Sequence, residues 1–332
     1  MIGLGRLAEL DGRRITVEVP ATAANLGAGY DCVGLALALT NRIEIEAVAR
    51  PDAGVELTVE GEGAGELPAD RSNRVVRALD ETLRAAMRGD AAGGDAKALG
   101  WRIRMVNRVP LSRGLGSSAA ATVAGVVAGD ALTGGPLSTR EMLEIAVGIE
   151  GHPDNATPAL LGGFTVSAVV PSPDGLGETV EALRFDVPRD LRAILFVPEL
   201  PLATSAMRAA LPDMVPRADA VHNLGAVALG VAGVATGRFD LLRVLTVDRL
   251  HEQYRAAVYP ELPRLVATAR DAGAIGACLS GAGSAIIAFA DTLAGLTRIE
   301  AAFMAFAAEE AFAGRVLVVA PENAGARVVE RD

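Results

Sequence analysis

Alternating apolar and polar positions predict β-strands in the first half of the chain. RRITVEVPAT (13–22) alternates and is expected to end near Pro20, and NRIEIEAVA (41–49) and GVELTVEG (54–61) show the same period of two. We expect the latter two to be neighbouring antiparallel strands. Further strands are predicted at 101–110, where Pro110 ends the pattern, and at 162–170.

Helical spacing of apolar residues predicts the helices. SNRVVRALDETLRAAM (72–87) has this spacing, and Ser72 is its expected N-cap. STREMLEIAVGIEG (138–151) begins with Ser138 and Glu141 in a capping-box pattern. The second half is predicted to hold a strand at 191–197, helices near 204–211, 219–236, 239–250 and 260–272, and a closing helix–strand pair.

Mixed strands and helices over this length predict two domains of the α+β class. A chain of 332 residues is long enough for about two domains. The clearest break is PSPDGLGE (171–178), which is rich in proline and glycine. We therefore predict an N-terminal domain at 1–170 and a C-terminal domain at 171–332.

Composition and charge narrow the possible partners. Hydrophobic residues make up 51% of the chain but aromatic residues only 4%, and there are 37 glycines, so small side chains must fill the interior. The formal net charge is −10, and no run of Lys or Arg forms a basic stripe. Nucleic acid and anionic membranes are therefore poor candidates.

The two cysteines and the apolar segments favour a cytoplasmic, soluble protein. Cys32 and Cys278 have no CxxC partner and no nearby His, which argues against a metal site at these cysteines and against a disulfide framework. The N-terminus lacks the pattern of a signal peptide. Apolar stretches such as 224–237 are shorter than the ~18 residues expected of a membrane helix.

The segment VPLSRGLGSSAAATVAG (109–125) places a flexible turn directly before a strong helix former. The first N–H groups of a helix have no internal partner and favour an anion. Gly114 and Gly116 allow close approach or positive φ, and Ser117 and Ser118 offer hydroxyl groups. The segment therefore predicts phosphate binding by the backbone without a lysine, although it also fits a turn that lets a buried helix pack tightly.

Three more segments concentrate polar residues or glycines in a chain otherwise rich in Ala, Val and Leu. They are PATAANLGAGYDCVGLAL (20–37), EGHPDNATPALLGGF (150–164) and CLSGAGSAIIAF (278–289). Such clusters favour a functional site over a solvated surface.

Together these motifs resemble the GHMP kinase superfamily, and within it the homoserine kinases. PLSRGLGSSAA (110–120) resembles the phosphate loop, NLGAGYD (25–31) the first motif, EGHPDN (150–155) the second, and SGAGSA (280–285) the third glycine motif. The third motif departs from the usual Pro-Thr, with Ser284 and Ala285 in its place. The resemblance implies a ribosomal protein S5 domain 2-like N-terminal domain with a left-handed βαβ unit, and a ferredoxin-like C-terminal domain.

The resemblance also implies ATP and Mg²⁺ as cofactors. Ser118 and Glu150 match the metal ligands, which suits a cation that prefers oxygen. Asn73 matches a position near the adenine or ribose, although it also fits a structural residue at a helix start. The implied ATP-binding residues are Asn73, Pro110, Leu111, Ser112, Arg113, Gly114, Leu115, Gly116, Ser117, Ser118, Ala119 and Ala120.

L-homoserine is the substrate that the resemblance implies, with its hydroxyl group as phosphoryl acceptor in threonine biosynthesis. Asn25 and Asp31 match positions at the amino end and hydroxyl region. Arg208 and Arg255 resemble carboxylate-binding arginines, although each also fits a surface ion pair. His152 resembles a substrate contact and equally fits a capping or core histidine.

The catalytic positions that the resemblance implies are Asp154, Asn155 and Thr204. No lysine occupies the first motif, so the Asp–Lys pair of some superfamily relatives is absent. The identity of a general base is left open. Asp154 is expected to orient the attacking hydroxyl group. Dimerisation is a further expectation from the resemblance.

Two alternatives remain at this point. One is a kinase of the same superfamily acting on a mevalonate-type alcohol, and the other is a nucleotide-binding module without catalysis. A zwitterion needs both Asp31 and Arg255, whereas mevalonate needs only a cation. A module is expected to lack the metal ligands.

Overall fold

A computed structural model describes residues 7–50, 53–87, 99–175, 177–188 and 190–332. Residues 1–6, part of the N-terminal segment considered above, lie outside this range. The strands are β1 (Arg14–Ala24), β2 (Val33–Val48), β3 (Val55–Gly61), β4 (Gly100–Asn107), β5 (Phe164–Pro171), β6 (Glu178–Phe185), β7 (Arg192–Pro198), β8 (Gly276–Leu279), β9 (Ile286–Ala290), β10 (Gly314–Val319) and β11 (Arg327–Arg331). The helices are α1 (Arg74–Ala86), α2 (Ser117–Leu132), α3 (Thr139–Glu150), α4 (Pro153–Leu161), α5 (Thr204–Ala209), α6 (Arg217–Ala235), α7 (Leu242–Leu245), α8 (Glu252–Arg255), α9 (Leu262–Asp271) and α10 (Leu293–Glu309), with a short 3-10 turn at Phe239–Leu241.

The first sheet has seven strands and differs in pairing from the sequence prediction. Its main path runs β11-β1-β2-β4-β3, and β5 joins β2 to β6. The prediction that 41–49 and 54–61 are neighbouring antiparallel strands is wrong, because β4 lies between β2 and β3 and pairs with β3 in parallel. Alternation identifies a strand but not its partner, and α1 supplies the crossover that a parallel pair requires.

The second sheet confirms the ferredoxin-like prediction. Its four strands run in the order β10-β7-β9-β8, and all three pairings are antiparallel. With helices between β7 and β8 and between β9 and β10, the chain follows the βαββαβ pattern of that fold.

Two strands that follow residue 170 belong to the first sheet. β6 pairs with β5, and β11 pairs with β1. The segment 171–178, predicted as the break between domains, is the connection of the β5–β6 hairpin. The domain boundary at 170/171 stays a prediction. By sheet membership, β6 and β11 belong with the strands of the N-terminal half.

Helix ends follow local hydrogen bonding. The capping box of α3 is confirmed: Ser138 accepts from the Glu141 amide, and Glu141 accepts in return from the Ser138 amide. Ser72 is not the cap of α1. Asn73 is the N-cap and accepts from the Val75 amide, whereas the Ser72 hydroxyl donates to Asp70.

The helix expected at 239–250 is interrupted. Only the 3-10 turn and α7 form, and the chain then turns at Asp248. The Asp248 carboxylate accepts from the amides of Leu250, His251 and Glu252. These local bonds compete with helix continuation and start α8, which carries Arg255.

Helix α6 spans 19 residues and passes a length and composition test for a membrane span, contrary to the expectation that apolar stretches are too short. Core helices of soluble proteins can have the same length and composition. Here α6 is attached to the domain through Asn223, whose amide donates to Ala28 O and to Asp248 Oδ1.

Candidate active site

The phosphate loop has the backbone geometry predicted for it. Gly114 and Gly116 have φ of 72° and 68°. A Cβ on Gly114 would lie 2.0 Å from Ser280 O, and one on Gly116 would lie 1.9 Å from Thr22 Oγ1. Both positions therefore need positive φ and close approach, which only glycine provides.

Helix α2 begins in the loop without a side-chain cap. Gly116 is its N-cap and has no side chain to accept from the first amides. These amides and the helix dipole favour an anion at this end. Ala120, expected to contact ATP, instead lies in the core of the N-terminal half, because it falls on the buried face of α2.

Neighbouring segments hold the loop in place. The Ser280 hydroxyl donates to Gly114 O at 2.7 Å, and the Ala285 amide donates to Arg113 O at 3.0 Å. The third glycine motif thus supports the phosphate loop through hydrogen bonds from both sides of its turn. The Arg113 guanidinium donates to Pro198 O and Glu199 O, so it ties the loop to the end of β7.

Two cavities at this loop share part of their walls. The first, of about 260 Å³, lies along the loop and the start of α2 and extends towards the C-terminal half. The second, of about 370 Å³, is bounded by α1, β4 and α2. Residues common to both are Arg74, Ser112, Ser117 and Ser118.

Glu150 and Ser118 come together as predicted. The Ser118 hydroxyl lies 2.8 and 3.0 Å from the two Glu150 oxygens. Thr122 donates to Glu150 Oε1 at 2.6 Å, and Arg74 Nη1 lies 2.9 Å from the same oxygen. The carboxylate is thus surrounded by hydroxyl groups and one guanidinium.

A second polar cluster lies at the start of α4. His152 Nδ1 contacts Asp154 Oδ1 at 2.5 Å, and Asn155 Nδ2 donates to the same oxygen at 3.3 Å. The Thr22 hydroxyl donates to Asn155 Oδ1 at 2.7 Å. The hydrogen bond to Asp154 raises the pKa of His152 above its usual 6.5, against the opposing effect of burial. Asp154 is itself buried.

Opposite charges face the far end of the first cavity. Arg208 forms two hydrogen bonds with the Asp31 carboxylate, at 2.9 and 3.0 Å, and donates to the Tyr30 hydroxyl. Asn25 supports this loop by accepting from the Asp31 amide and donating to Gly281 O.

Arg255 is a buried cation at the same end. It is 1% exposed, and within the described ranges no carboxylate lies at ion-pair distance from it. Its Nη1 donates to Gly281 O and to His251 Nδ1, both at 3.0 Å. Burial lowers the pKa of His251 to about 4, so the ring is neutral and donates from Nε2 to Gly27 O.

Most residues expected at the site line the first cavity, including all those expected for substrate, metal and catalysis. Asn73 and Leu111 line the second cavity instead. The side-chain amide of Asn73 is engaged on both sides, accepting from Val75 and donating to Pro68 O. The first cavity contains these expected residues: Asn25, Asp31, Pro110, Ser112, Arg113, Gly114, Leu115, Gly116, Ser117, Ser118, Ala119, Glu150, His152, Asp154, Asn155, Thr204, Arg208 and Arg255.

The sequence analysis missed several residues at the site. Arg74 follows Asn73 directly but belongs to no motif. Thr122 had a usable signal, because it lies four residues after Ser118 on the same helix face. Thr22 and Tyr30 lie inside the quoted segment 20–37 but were not singled out.

Comparison with known proteins places this chain in a family. The profile of the GHMP kinases N terminal domain matches residues 73–163, and that of the GHMP kinases C terminal domain matches residues 224–308. The chain belongs to the GHMP kinase family, which makes it an ATP-dependent small-molecule kinase.

Its relatives narrow the grouping further. A homoserine kinase of Caldicellulosiruptor bescii is 41% identical over 83% of this chain and 84% of its own length, and one of Corynebacterium aurimucosum is 42% identical over 83% and 86%. The crystal structure of homoserine kinase from Cytophaga hutchinsonii superposes with a TM-score of 0.80 and 29% identity, covering 95% of this chain and 97% of that one.

Proposed function

We propose that this protein transfers the γ-phosphoryl group of ATP to the side-chain hydroxyl of L-homoserine, giving O-phospho-L-homoserine for threonine biosynthesis in the cytoplasm. The observation that carries the proposal is the first cavity, which joins an uncapped helix start to a pocket containing both charge signs. Asp31 supplies the negative charge there, and Arg208 and Arg255 supply the positive charge. The 40–42% identity to proteins named homoserine kinase supports the same assignment.

The second cavity suits the nucleoside of ATP. Its walls include apolar side chains from Leu67, Pro68, Met105 and Leu111, against which a purine packs. The phosphates then extend to the start of α2, where the backbone amides of 117–119 point outward without a side-chain cap.

Ser118 and Glu150 form a donor set that fits Mg²⁺. A hydroxyl and a carboxylate lie within 3.0 Å of each other beside the expected phosphate position, and both are hard oxygen ligands. Mg²⁺ takes few protein ligands when phosphates complete its shell, which agrees with the finding that no group of three or more His, Cys, Asp or Glu is arranged for a metal within the described residues. When bound, the ion neutralises charge on the phosphates.

Homoserine is a zwitterion, and its binding replaces the Asp31–Arg208 ion pair with contacts between the protein and both charges of the substrate. Asp31 accepts from the ammonium group, while Arg208 and Arg255 bind the carboxylate. Arg255 is already desolvated and lacks a carboxylate partner within the described residues, so it is preorganised for this contact.

The polar cluster at α4 orients the reacting hydroxyl group. Asp154 Oδ1 is engaged by His152 and Asn155, which leaves Oδ2 to accept a hydrogen bond from the substrate hydroxyl. The hydroxyl oxygen attacks the γ-phosphorus, its proton passes to an oxygen of the transferred phosphoryl group, the bond to the β–γ bridging oxygen breaks, and ADP leaves. Thr204 lies at the rim of the cavity, at the start of α5, and contributes a second hydroxyl there.

ADP release with a panel of acceptors tests the proposal. L-homoserine, mevalonate, 4-hydroxybutanoate and 3-aminopropan-1-ol are each supplied with ATP and Mg²⁺. The proposal expects the highest kcat/KM for homoserine, because only this acceptor satisfies Asp31 and both arginines. Higher turnover of mevalonate would favour the other kinase activity, and nucleotide binding without turnover of any acceptor would favour a non-catalytic module.

A further inference from the structure

Arg74 occupies the junction between the two cavities. It is the first residue of α1 and lines both of them. Its Nη1 lies 2.9 Å from Glu150 Oε1, and its side chain is 43% exposed while that of Glu150 is 6% exposed. The cation thus reaches in from solvent to a nearly buried carboxylate at the point where the phosphate chain must pass.

The other arginines of the first cavity have different partners. Arg113 donates to backbone carbonyls at the end of β7, and Arg208 is bonded to Asp31. Arg255 is buried at the acceptor end. Among the described residues that line this cavity, Arg74 is therefore the arginine placed beside Ser118 and Glu150.

We propose that Arg74 binds the triphosphate, and that it leaves Glu150 for the phosphates when a divalent cation takes over that carboxylate. The inference rests on the proposed function, because it needs ATP to cross this junction. A guanidinium fork matches phosphate oxygens, and the incoming cation replaces Arg74 as the counter-charge of Glu150, so the exchange leaves neither the carboxylate nor the arginine unpaired.

The exchange also explains how Glu150 is accommodated before nucleotide binds. A nearly buried carboxylate needs a counter-charge, and Arg74 provides it in the absence of metal. The phosphate loop has no lysine, so Arg74 is the side-chain cation that joins the backbone amides of α2 in holding the phosphates.

Calorimetric titration of the full-length protein tests the phosphate contact. AMP-PNP with Mg²⁺ and adenosine alone are titrated into wild type, R74Q and a control, R84Q, which removes an exposed charge from the same helix. We expect R74Q to weaken AMP-PNP binding about tenfold and leave adenosine binding unchanged, as loss of one charge-assisted contact predicts. R84Q should match wild type.

The outcomes separate the two proposals. An AMP-PNP affinity of R74Q equal to that of wild type, or an equal loss for adenosine, overturns the role of Arg74. Failure of wild type to bind AMP-PNP contradicts the proposed function instead. R74K keeps the charge and loses the fork, so it should fall between R74Q and wild type and provides a check if R74Q melts at a lower temperature.

A double-mutant cycle without divalent cation tests the exchange itself. E150Q removes the partner that holds Arg74, so it should tighten metal-free AMP-PNP binding when Arg74 is present. The gain should be several-fold smaller in the R74Q background, because no guanidinium is released there. An equal gain in both backgrounds would mean that E150Q acts only by removing repulsion, and would overturn the exchange.

Discussion

Asp31 and Arg208 form a two-point ion pair at the end of the first cavity that Arg255 also lines, with distances of 2.9 and 3.0 Å. The two side chains are 34% and 37% exposed, so solvent reaches both. The resemblance implies that the two side chains bind opposite ends of a zwitterion, and in the structure each is the counter-charge of the other. Under the proposed function, an ammonium and a carboxylate of the substrate would replace this pair.

Asp31→Asn should damage recognition of the ammonium group. Loss of one charged hydrogen-bond partner predicts a rise of about 10- to 100-fold in the KM for homoserine. The KM for 4-hydroxybutanoate, which lacks the ammonium, should not rise. Steady-state kinetics with both acceptors measure this difference.

Asp240→Asn is the matched control, since Asp240 also pairs with an arginine but is exposed and distant in sequence from the motifs. Its kinetics should equal those of wild type. Equal losses on the two acceptors in the Asp31 variant would show that Asp31 acts through the loop and not on the ammonium.

Arg255→Leu should abolish the preference for a carboxylate. Wild type should favour homoserine over 3-aminopropan-1-ol, and the variant should lose most of that preference through a rise of about 100-fold in the KM for homoserine. Because Arg255 also donates to Gly281 O, the melting temperature and AMP-PNP affinity are measured alongside. Unchanged homoserine kinetics in a folded variant would remove Arg255 from the site.

Motif residues were predictable because the backbone determines them locally. Gly114 and Gly116 precede an alanine-rich helix, and the positive φ that this arrangement needs is present at both. Ser118 and Glu150 are 32 residues apart in the sequence, so no local pattern predicts their contact. The resemblance covers both motifs and implies that both residues bind one metal ion. In the structure the Ser118 hydroxyl lies 2.8 Å from a Glu150 oxygen.

Other features depend on tertiary structure that no local pattern reports. The period of two identifies β3 but not its parallel partner β4. Arg74 lies outside every motif, and its contact with Glu150 depends on the position of α1 in the fold. Asp248 ends one helix and starts another through side-chain bonds that periodicity does not detect.

Asp154→Asn tests the orientation of the hydroxyl group. Asparagine keeps the size of the side chain but replaces one hydrogen-bond acceptor with a donor, so we expect kcat to fall about 10²-fold through misplacement of the hydroxyl group, while the affinity for AMP-PNP stays unchanged. Rapid-quench measurement of the phosphoryl-transfer step separates chemistry from product release. Near-normal turnover with an intact fold would exclude a role for Asp154 in the reaction.

The His152–Asp154 pair predicts a pH dependence of stability. Its hydrogen bond to Asp154 raises the pKa of His152 in the folded protein above 6.5. The protonated ring thus stabilises the fold fully below the unfolded pKa, and the contribution is lost as pH rises through the folded pKa. His152→Gln should therefore lower the melting temperature more at about pH 5.5 than at about pH 9. A difference between the two proteins that does not change with pH would contradict this coupling.

A comparison of Ser280→Ala with Ser284→Ala separates an effect on the phosphate loop from a general loss of stability. Both lie in the third glycine motif, are fully buried and donate to a carbonyl, but Ser280 bonds Gly114 O while Ser284 bonds Leu200 O. Each Ser→Ala change should cost about 1 kcal/mol of unfolding free energy, because a hydrogen bond made by a buried hydroxyl group is lost. Only Ser280→Ala frees the carbonyl of the phosphate loop, so only this variant should bind AMP-PNP several-fold more weakly, with the KM for homoserine unchanged in both. Equal nucleotide affinities in the two variants, with equal loss of stability, would mean that the bond to Gly114 does not shape the phosphate site.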